Sequence, residues 1–181
     1  VSLSVSIYLY RYNFIEMIND YIGDKYYFIS GDSGLVVRYI TDIDISDRNT
    51  MKDILLSKLV DGKNREIMYG CTLIGPHKDN FCFYLNESNL SLYGSQGQLK
   101  MSILALKMAE IDVFKRVTGE TPVLLLDDVL SELDRNRQTY LLESITDLQT
   151  IITCTGLEEF VDNRKEYHKI FHVINGMLSE S

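Results

Sequence analysis

The 181-residue sequence is 45% hydrophobic and carries 18 Lys plus Arg against 26 Asp plus Glu, a net charge of −8. That is enough apolar chain for the core of one domain or one and a half, and the acidity excludes an unassisted polyanion binder, so any DNA contact must come from a local patch or an assembled oligomer. No run reaches the ~18 apolar residues of a membrane span, and the apolar stretch from Ser2 to Tyr10 lacks the basic start and small-residue cleavage site of a signal peptide.

Ile7, Leu9 or Tyr10, Phe14, Ile15, Met17, Ile18 and Ile22 recur at spacings of three and four, which predicts an amphipathic helix ending at Gly23, although Ser2 to Tyr10 also alternates as a strand would. Ser30 to Gly34 is a turn and Leu35 to Ile40 a strand. Asp47 or Asn49 caps a helix running through Met51, Ile54, Leu55, Leu59 and Val60 toward Met68, with Gly62 a weak point. Lys58, Lys63 and Arg65 form a modest basic cluster that reads as a solvated helix face.

Gly75-Pro76 breaks the chain before His77-Lys78-Asp79 and a strand from Phe81 to Leu85. A helix from Gln96 to about Val117 turns Leu99, Ile103, Leu106, Ile111, Val113 or Phe114, and Val117 toward a core, with Gly119 beyond it. A strand from Val123 to Leu126, a helix from Arg135 to about Thr146, a strand from Thr150 to Thr153 and a strand from Lys169 to Ile174, closed by Asn175-Gly176, complete the pass. Strands alternating with helices predict an α/β fold. Cys71, Cys82 and Cys154, with no C-x-x-C spacing, read as reduced core residues of a cytoplasmic protein.

Two segments carry chemistry. Ser95-Gln96-Gly97-Gln98 fits a capping box, with Ser95 accepting from the amide three residues on and Gln98 reaching back to the Ser95 amide. A glycine in that first turn costs up to ~1 kcal/mol relative to alanine, and what it provides is close backbone approach by something outside the chain, such as an anion. The unalternated apolar run from Val123 to Leu126 predicts a parallel strand covered on both faces and ending at a ligand edge. Asp127 and Asp128 follow it. Adjacent side chains point to opposite faces, so the two carboxylates divide the work: Asp127 holds Mg²⁺ and Asp128 orients or deprotonates an attacking water. Asp134 is a helix N-cap in its own right. His77 has no second His or Cys at ligand spacing and reads as a loop or interface group.

Gly75-Pro76-His77-Lys78-Asp79, Tyr93-Gly94-Ser95-Gln96-Gly97-Gln98 and Leu124 through Asp134 together resemble the C-terminal part of the RecF family of bacterial DNA repair and replication proteins. The resemblance implies a partial ABC/SMC-type ATPase head with a short helical arm segment. Residues 1–66 would be the end of the arm and a small-lobe segment, and residues 67–181 the C-terminal half of the head. It implies that Ser95, Gln96, Gly97 and Gln98 form a signature motif reaching the γ-phosphate of an ATP held by a partner subunit, that Asp127 is the Walker B magnesium residue, and that Asp128 is the catalytic carboxylate. Asp134 would belong to a D-loop at the dimer interface. Thr155 stands near the position where ABC transporters place a switch histidine, and it can hydrogen-bond a phosphate or water but cannot carry a proton as imidazole does.

None of the 11 glycines is followed by Lys and then Ser or Thr, so the phosphate-cradling G-x-x-x-x-G-K-[ST] is missing from these residues. Together with Val at position 1, this points to a piece of a longer chain, one not expected to hydrolyse ATP alone. The expected function is that of a cytoplasmic ATP- and Mg²⁺-dependent protein of recombinational repair and replication. It would form an ATP-dependent homodimer on single- or double-stranded DNA, work with other recombination mediator proteins and make no membrane contact. The alternative is a truncated, hydrolysis-incompetent remnant or partner-binding module. An SMC or RecN head would require a long heptad coiled coil that these residues lack.

Overall fold

The computed structural model describes residues 1–45, 47–155 and 169–180. The chain divides into two compact units, Val1–Pro122 and Val123–Ser181.

The first unit is built on helix α1 (Ser2–Ser30), which packs against helix α4 (Gln96–Thr118). Val5 and Tyr8, then Ile18, Ile22, Tyr26 and Ile29, are the buried positions of α1. The helix runs through Gly23, where the sequence pattern placed its end, and stops at Gly31. There a left-handed φ of 80° lets the Gly31 N–H donate to the Tyr27 carbonyl at 2.8 Å. Gly23 faces only ordinary contact, 3.6 Å from the Leu35 carbonyl to a built Cβ, so nothing at that point breaks the helix.

The buried face of α4 matches the expected one at Ile111 and Val113 and differs from it elsewhere. Met101, Leu104, Ala105, Met108, Ala109, Ile111 and Val113 are buried, whereas Ile103, Phe114 and Val117 are exposed. Ser102, Ala105 and Ala109 are fully buried, and the Ser102 hydroxyl is satisfied by the Gln98 carbonyl at 2.8 Å. A reading weighted toward large branched residues passes over this face, because small side chains and methionine fill it.

Strands β1 (Leu35–Ile40), β2 (Asn80–Leu85) and β3 (Ser88–Asn89) form an antiparallel sheet in that order, with Val37 opposite Phe83. β1 is an edge, and Asn19 of α1 closes it. The Asn19 side chain donates to the Val37 carbonyl at 2.9 Å and accepts from the Val37 N–H at 2.8 Å, standing in for a neighbouring strand. Asn86 and Glu87, both at positive φ, make the two-residue turn between β2 and β3.

Helix α2 (Arg48–Tyr69) starts, as expected, at Asp47, whose carboxylate accepts from the amides of Asn49 and Thr50. Met51 and Leu55 join Val5, Tyr8 and Ile43 in a second small core. The short helix α3 (Leu90–Tyr93) precedes α4.

In the second unit, strand β4 (Leu124–Asp127) pairs in parallel with β5 (Thr150–Thr153), with Asp127 opposite Thr153. The expectation of a strand covered on both faces is corrected. Leu126 is buried, but Leu125, which points to the opposite face, is 69% exposed, so among the described residues no layer covers that face. Helix α5 (Arg135–Ser144) lies between the two strands in sequence, and β6 (Phe171–Ile174) and β7 (Met177–Glu180) form a hairpin about Asn175-Gly176. Asn175 and Gly176 both take positive φ, as a two-residue turn of that sequence requires.

The alternation of helices and strands is the α/β class expected from sequence. No helix among the described residues is long and apolar enough to cross a membrane. The three cysteines are free, as expected, but not core residues: Cys71 and Cys154 are exposed and Cys82 half-buried, since the first two lie in loops just beyond α2 and β5.

Candidate functional site

The candidate residues fall in both units, the helix-start set in the first and the acidic set in the second. At the start of α4 the capping box forms as the sequence predicts. Ser95 Oγ accepts from the Gln98 N–H at 3.1 Å, and Gln98 Oε1 accepts from the Ser95 N–H at 2.9 Å. The first turn of a helix has no internal partners for its N–H groups. With the Gln98 amide taken by the cap, the amides of Gln96 and Gly97 are the donors left at this end, and Ser95, Gln96 and Gly97 are all exposed.

The two glycines here differ in cause. A Cβ on Gly94 would lie 2.5 Å from the Leu90 carbonyl, so the tight exit from α3 requires glycine. A Cβ on Gly97 would meet only Ser95 Oγ, at 3.9 Å, so this chain's own packing does not require glycine there.

In the second unit, Asp127 ends β4 and Asp128 begins a turn in the left-handed region, at φ 52°. The two carboxylates are thereby presented by different backbone conformations. The Asp128 N–H donates to both the carbonyl and the hydroxyl of Thr153, each at 3.1 Å. The Thr153 hydroxyl in turn donates to Asp127 Oδ1. Sequence reasoning named Thr155 in this region and passed over Thr153, whose place depends on the parallel register that sets it opposite Asp127. Thr155 lies at an exposed bend two residues beyond β5, and the Gly156 that follows it lies outside the described residues.

The chain after Asp128 is tied down locally. Ser131 Oγ donates to the Asp128 carbonyl at 2.8 Å, and the buried side chain of Gln138 donates to the carbonyls of Leu130 at 2.7 Å and Leu133 at 3.1 Å. Asp134 caps α5 through Oδ1, which accepts from the Arg137 N–H at 3.1 Å, while Oδ2 pairs with the Arg137 guanidinium at 3.1 Å. Although Cys154 is exposed, partial desolvation of its thiol first, and the charge of Asp128 second, raise it above its ordinary value.

Among the described residues no three or more His, Cys, Asp or Glu side chains gather into a metal-binding cluster. A cation at Asp127 would therefore be held by few protein oxygens. That donor set suits Mg²⁺, which keeps its waters and takes phosphate oxygens, and does not suit zinc.

Within the first unit, the Gly75–Asp79 segment is clamped to α1 and β1. Arg11 donates to the Pro76 carbonyl and lies 4.0 Å from Asp79, and the Tyr39 hydroxyl donates to Asp79. His77 Nε2 lies 3.0 Å from the Thr72 carbonyl, which can only accept, so this nitrogen carries the proton.

The sequence is 46% identical over 167 residues to the DNA replication and repair protein RecF of Lachnospira eligens, a match covering 92% of this chain and 44% of the relative. It is 43% identical over 169 residues to RecF of Clostridium perfringens, covering 93% and 46%. The chain is similar to RecF proteins over nearly its whole length. It matches the C-terminal part of RecF and spans about half the length of the curated relatives it resembles. No protein-family model matches it.

The fold agrees with that of solved RecF structures. One, described as the recombination mediator protein RecF-ATPrS in the RecFOR pathway, superimposes with a TM-score of 0.81 at 28% identity, over 99% of this chain and 47% of that one. A second, described as RecF-ATP, gives 0.80 at 27% identity. The chain thus has the fold of part of an ABC-type ATPase head.

Proposed function

We propose that this RecF-like chain is the signature and Walker B portion of an ATPase that acts in DNA replication and recombinational repair by ATP-dependent dimerisation on DNA. The observation that carries this reading is the paired acidic terminus of β4. One carboxylate is oriented by Thr153, the next is offset by a left-handed turn, and both lie at the C-terminal edge of a parallel strand pair, where α/β sheets place ligands.

In this reading Asp127 holds Mg²⁺ and Asp128 orients the attacking water, since phosphoryl transfer depends on positioning and charge neutralisation. The open amides of Gln96 and Gly97, framed by Ser95 and Gln98, receive the γ-phosphate of an ATP bound by a partner subunit. Asp134 lies at the subunit interface, and Thr155 faces phosphate or water. Residues 1–66 serve as arm and small lobe and residues 67–181 as the C-terminal half of the head, a functional division separate from the compact units that meet at Pro122. DNA is held by the assembled dimer, consistent with a chain of net charge −8.

The test is made in the intact protein that carries these residues. Asp128→Asn is expected to abolish ATP hydrolysis while preserving ATP-induced dimers in analytical ultracentrifugation, and Ser95→Arg to block the dimers by crowding the helix-start amides. Normal turnover in the first variant, or normal dimers in the second, removes that residue from its role.

The lack of a G-x-x-x-x-G-K-[ST] run in these 181 residues favours one second reading, in which the chain by itself is a partner-binding module without hydrolysis. ATP binding by the isolated chain at micromolar affinity would contradict both readings.

A further inference from the structure

We infer that Thr153 is a positioning residue that sets the acidic pair for its cation and water, an assignment that rests on the reading of Asp127 as the cation ligand. A hydroxyl offers one donor and two acceptor positions, and Thr153 uses both capacities on the pair. It donates to Asp127 Oδ1 and accepts from the Asp128 N–H at 3.1 Å, while its own backbone carbonyl accepts from the same N–H at 3.1 Å.

The consequence for Asp127 is orientational. With Oδ1 bonded to Thr153, the carboxylate is oriented and Oδ2 is the oxygen clear of that bond. The consequence for Asp128 is conformational. A non-glycine residue at φ 52° lies in a sparsely populated region, and two acceptors from one strand residue hold its amide there. The parallel register, Asp127 opposite Thr153, makes both contacts available to a single side chain. Threonine also suits the strand, since its branched Cβ favours extended backbone.

Valine keeps the shape of threonine and removes the hydroxyl, and serine keeps the hydroxyl and removes the methyl. Removing a hydrogen-bond partner from a metal-ligating group typically weakens metal binding about 10- to 100-fold. The experiment titrates Mn²⁺ into the intact protein with ATP present, followed by electron paramagnetic resonance, for the unaltered protein, Thr153→Val, Thr153→Ser and Asp127→Asn.

Thr153→Val is expected to weaken Mn²⁺ binding about tenfold or more, and Thr153→Ser to restore it to within about twofold. Unchanged binding in Thr153→Val alongside loss in Asp127→Asn overturns the role of Thr153 and leaves Asp127 as the ligand. A loss in Thr153→Val that serine does not rescue assigns the residue to packing, which also overturns it. Unaltered Mn²⁺ binding in Asp127→Asn sinks the Asp127 reading itself, and the role of Thr153 with it.

Discussion

The side-chain amide of Gln138 donates to the carbonyl of Leu130 at 2.7 Å, from a position on α5 that is only 6% exposed. The same amide reaches the Leu133 carbonyl at 3.1 Å, so one buried residue ties both ends of the turn that follows Asp128. The Leu130 carbonyl keeps a second donor in the Leu133 N–H at 3.2 Å, so the loss falls chiefly on the Leu133 carbonyl, and a buried carbonyl that loses its donor costs about 1–3 kcal/mol. Gln138→Leu is therefore expected to destabilise the second unit by about that amount. Thermal or denaturant unfolding measures it, and a change under about 0.5 kcal/mol would mean the turn finds other donors.

Asp128 separates fold from chemistry. Its left-handed backbone tolerates Asn nearly as well as Asp, because short polar side chains visit that region most readily, whereas a β-branched residue is strained there. Asp128→Asn should leave the melting temperature close to that of the unaltered protein, and Asp128→Val should lower it by about 1–2 kcal/mol of stability. Equal melting of the two variants would show that the turn relaxes away from φ 52°.

How much of this was legible in the sequence varied with the range of the interaction. The Ser95–Gln98 box, the Asp47 and Asp134 caps and the Asn175-Gly176 turn are local, decided within four residues, and each forms as its sequence dictates. The helix around Gly23 was misjudged because a single glycine is a modest cost when the flanking turns bury Ile18, Ile22 and Tyr26. Thr153 was missed because its partner lies 26 residues away and only strand register brings the two together. The turn at Asn86-Glu87 carries no glycine and so gave no strong signal, even though both residues adopt positive φ.

Alkaline pH provides a test of the small core in the first unit. Tyr8 is 1% exposed, and burial above all, then the charges of Asp79 and Asp42, push its phenol from 10.0 up to about 12, with Arg11 acting the other way. Tyr39, half-buried and donating to Asp79, is raised in the same direction, by desolvation first and that hydrogen bond second. The fold favours the protonated phenol, so the unfolded chain loses its proton first as pH rises. Stability from this source is thus full below about pH 10 and is lost between about pH 10 and 12. Melting temperature against pH should fall through that window, and Tyr8→Phe should flatten the fall. An identical alkaline slope in Tyr8→Phe would assign the loss to other groups.

Gly97 offers the sharpest separation of stability from function. A Cβ there meets nothing closer than Ser95 Oγ at 3.9 Å, so Gly97→Ala introduces no clash in this chain. Alanine in a helix is favoured over glycine by about 0.5–1 kcal/mol, though a first-turn position realises only part of that. The substitution should leave the fold as stable as before, or slightly more so. If the glycine is there to let a phosphate approach the Gln96 and Gly97 amides, the same methyl should impair ATP-induced dimerisation of the intact protein. Unfolding curves and ultracentrifugation with ATP measure the two effects on one variant. A stabilised protein that still dimerises normally would show that nothing approaches this helix start closely enough to need glycine, and a destabilised one would show that the helix start is already constrained from within.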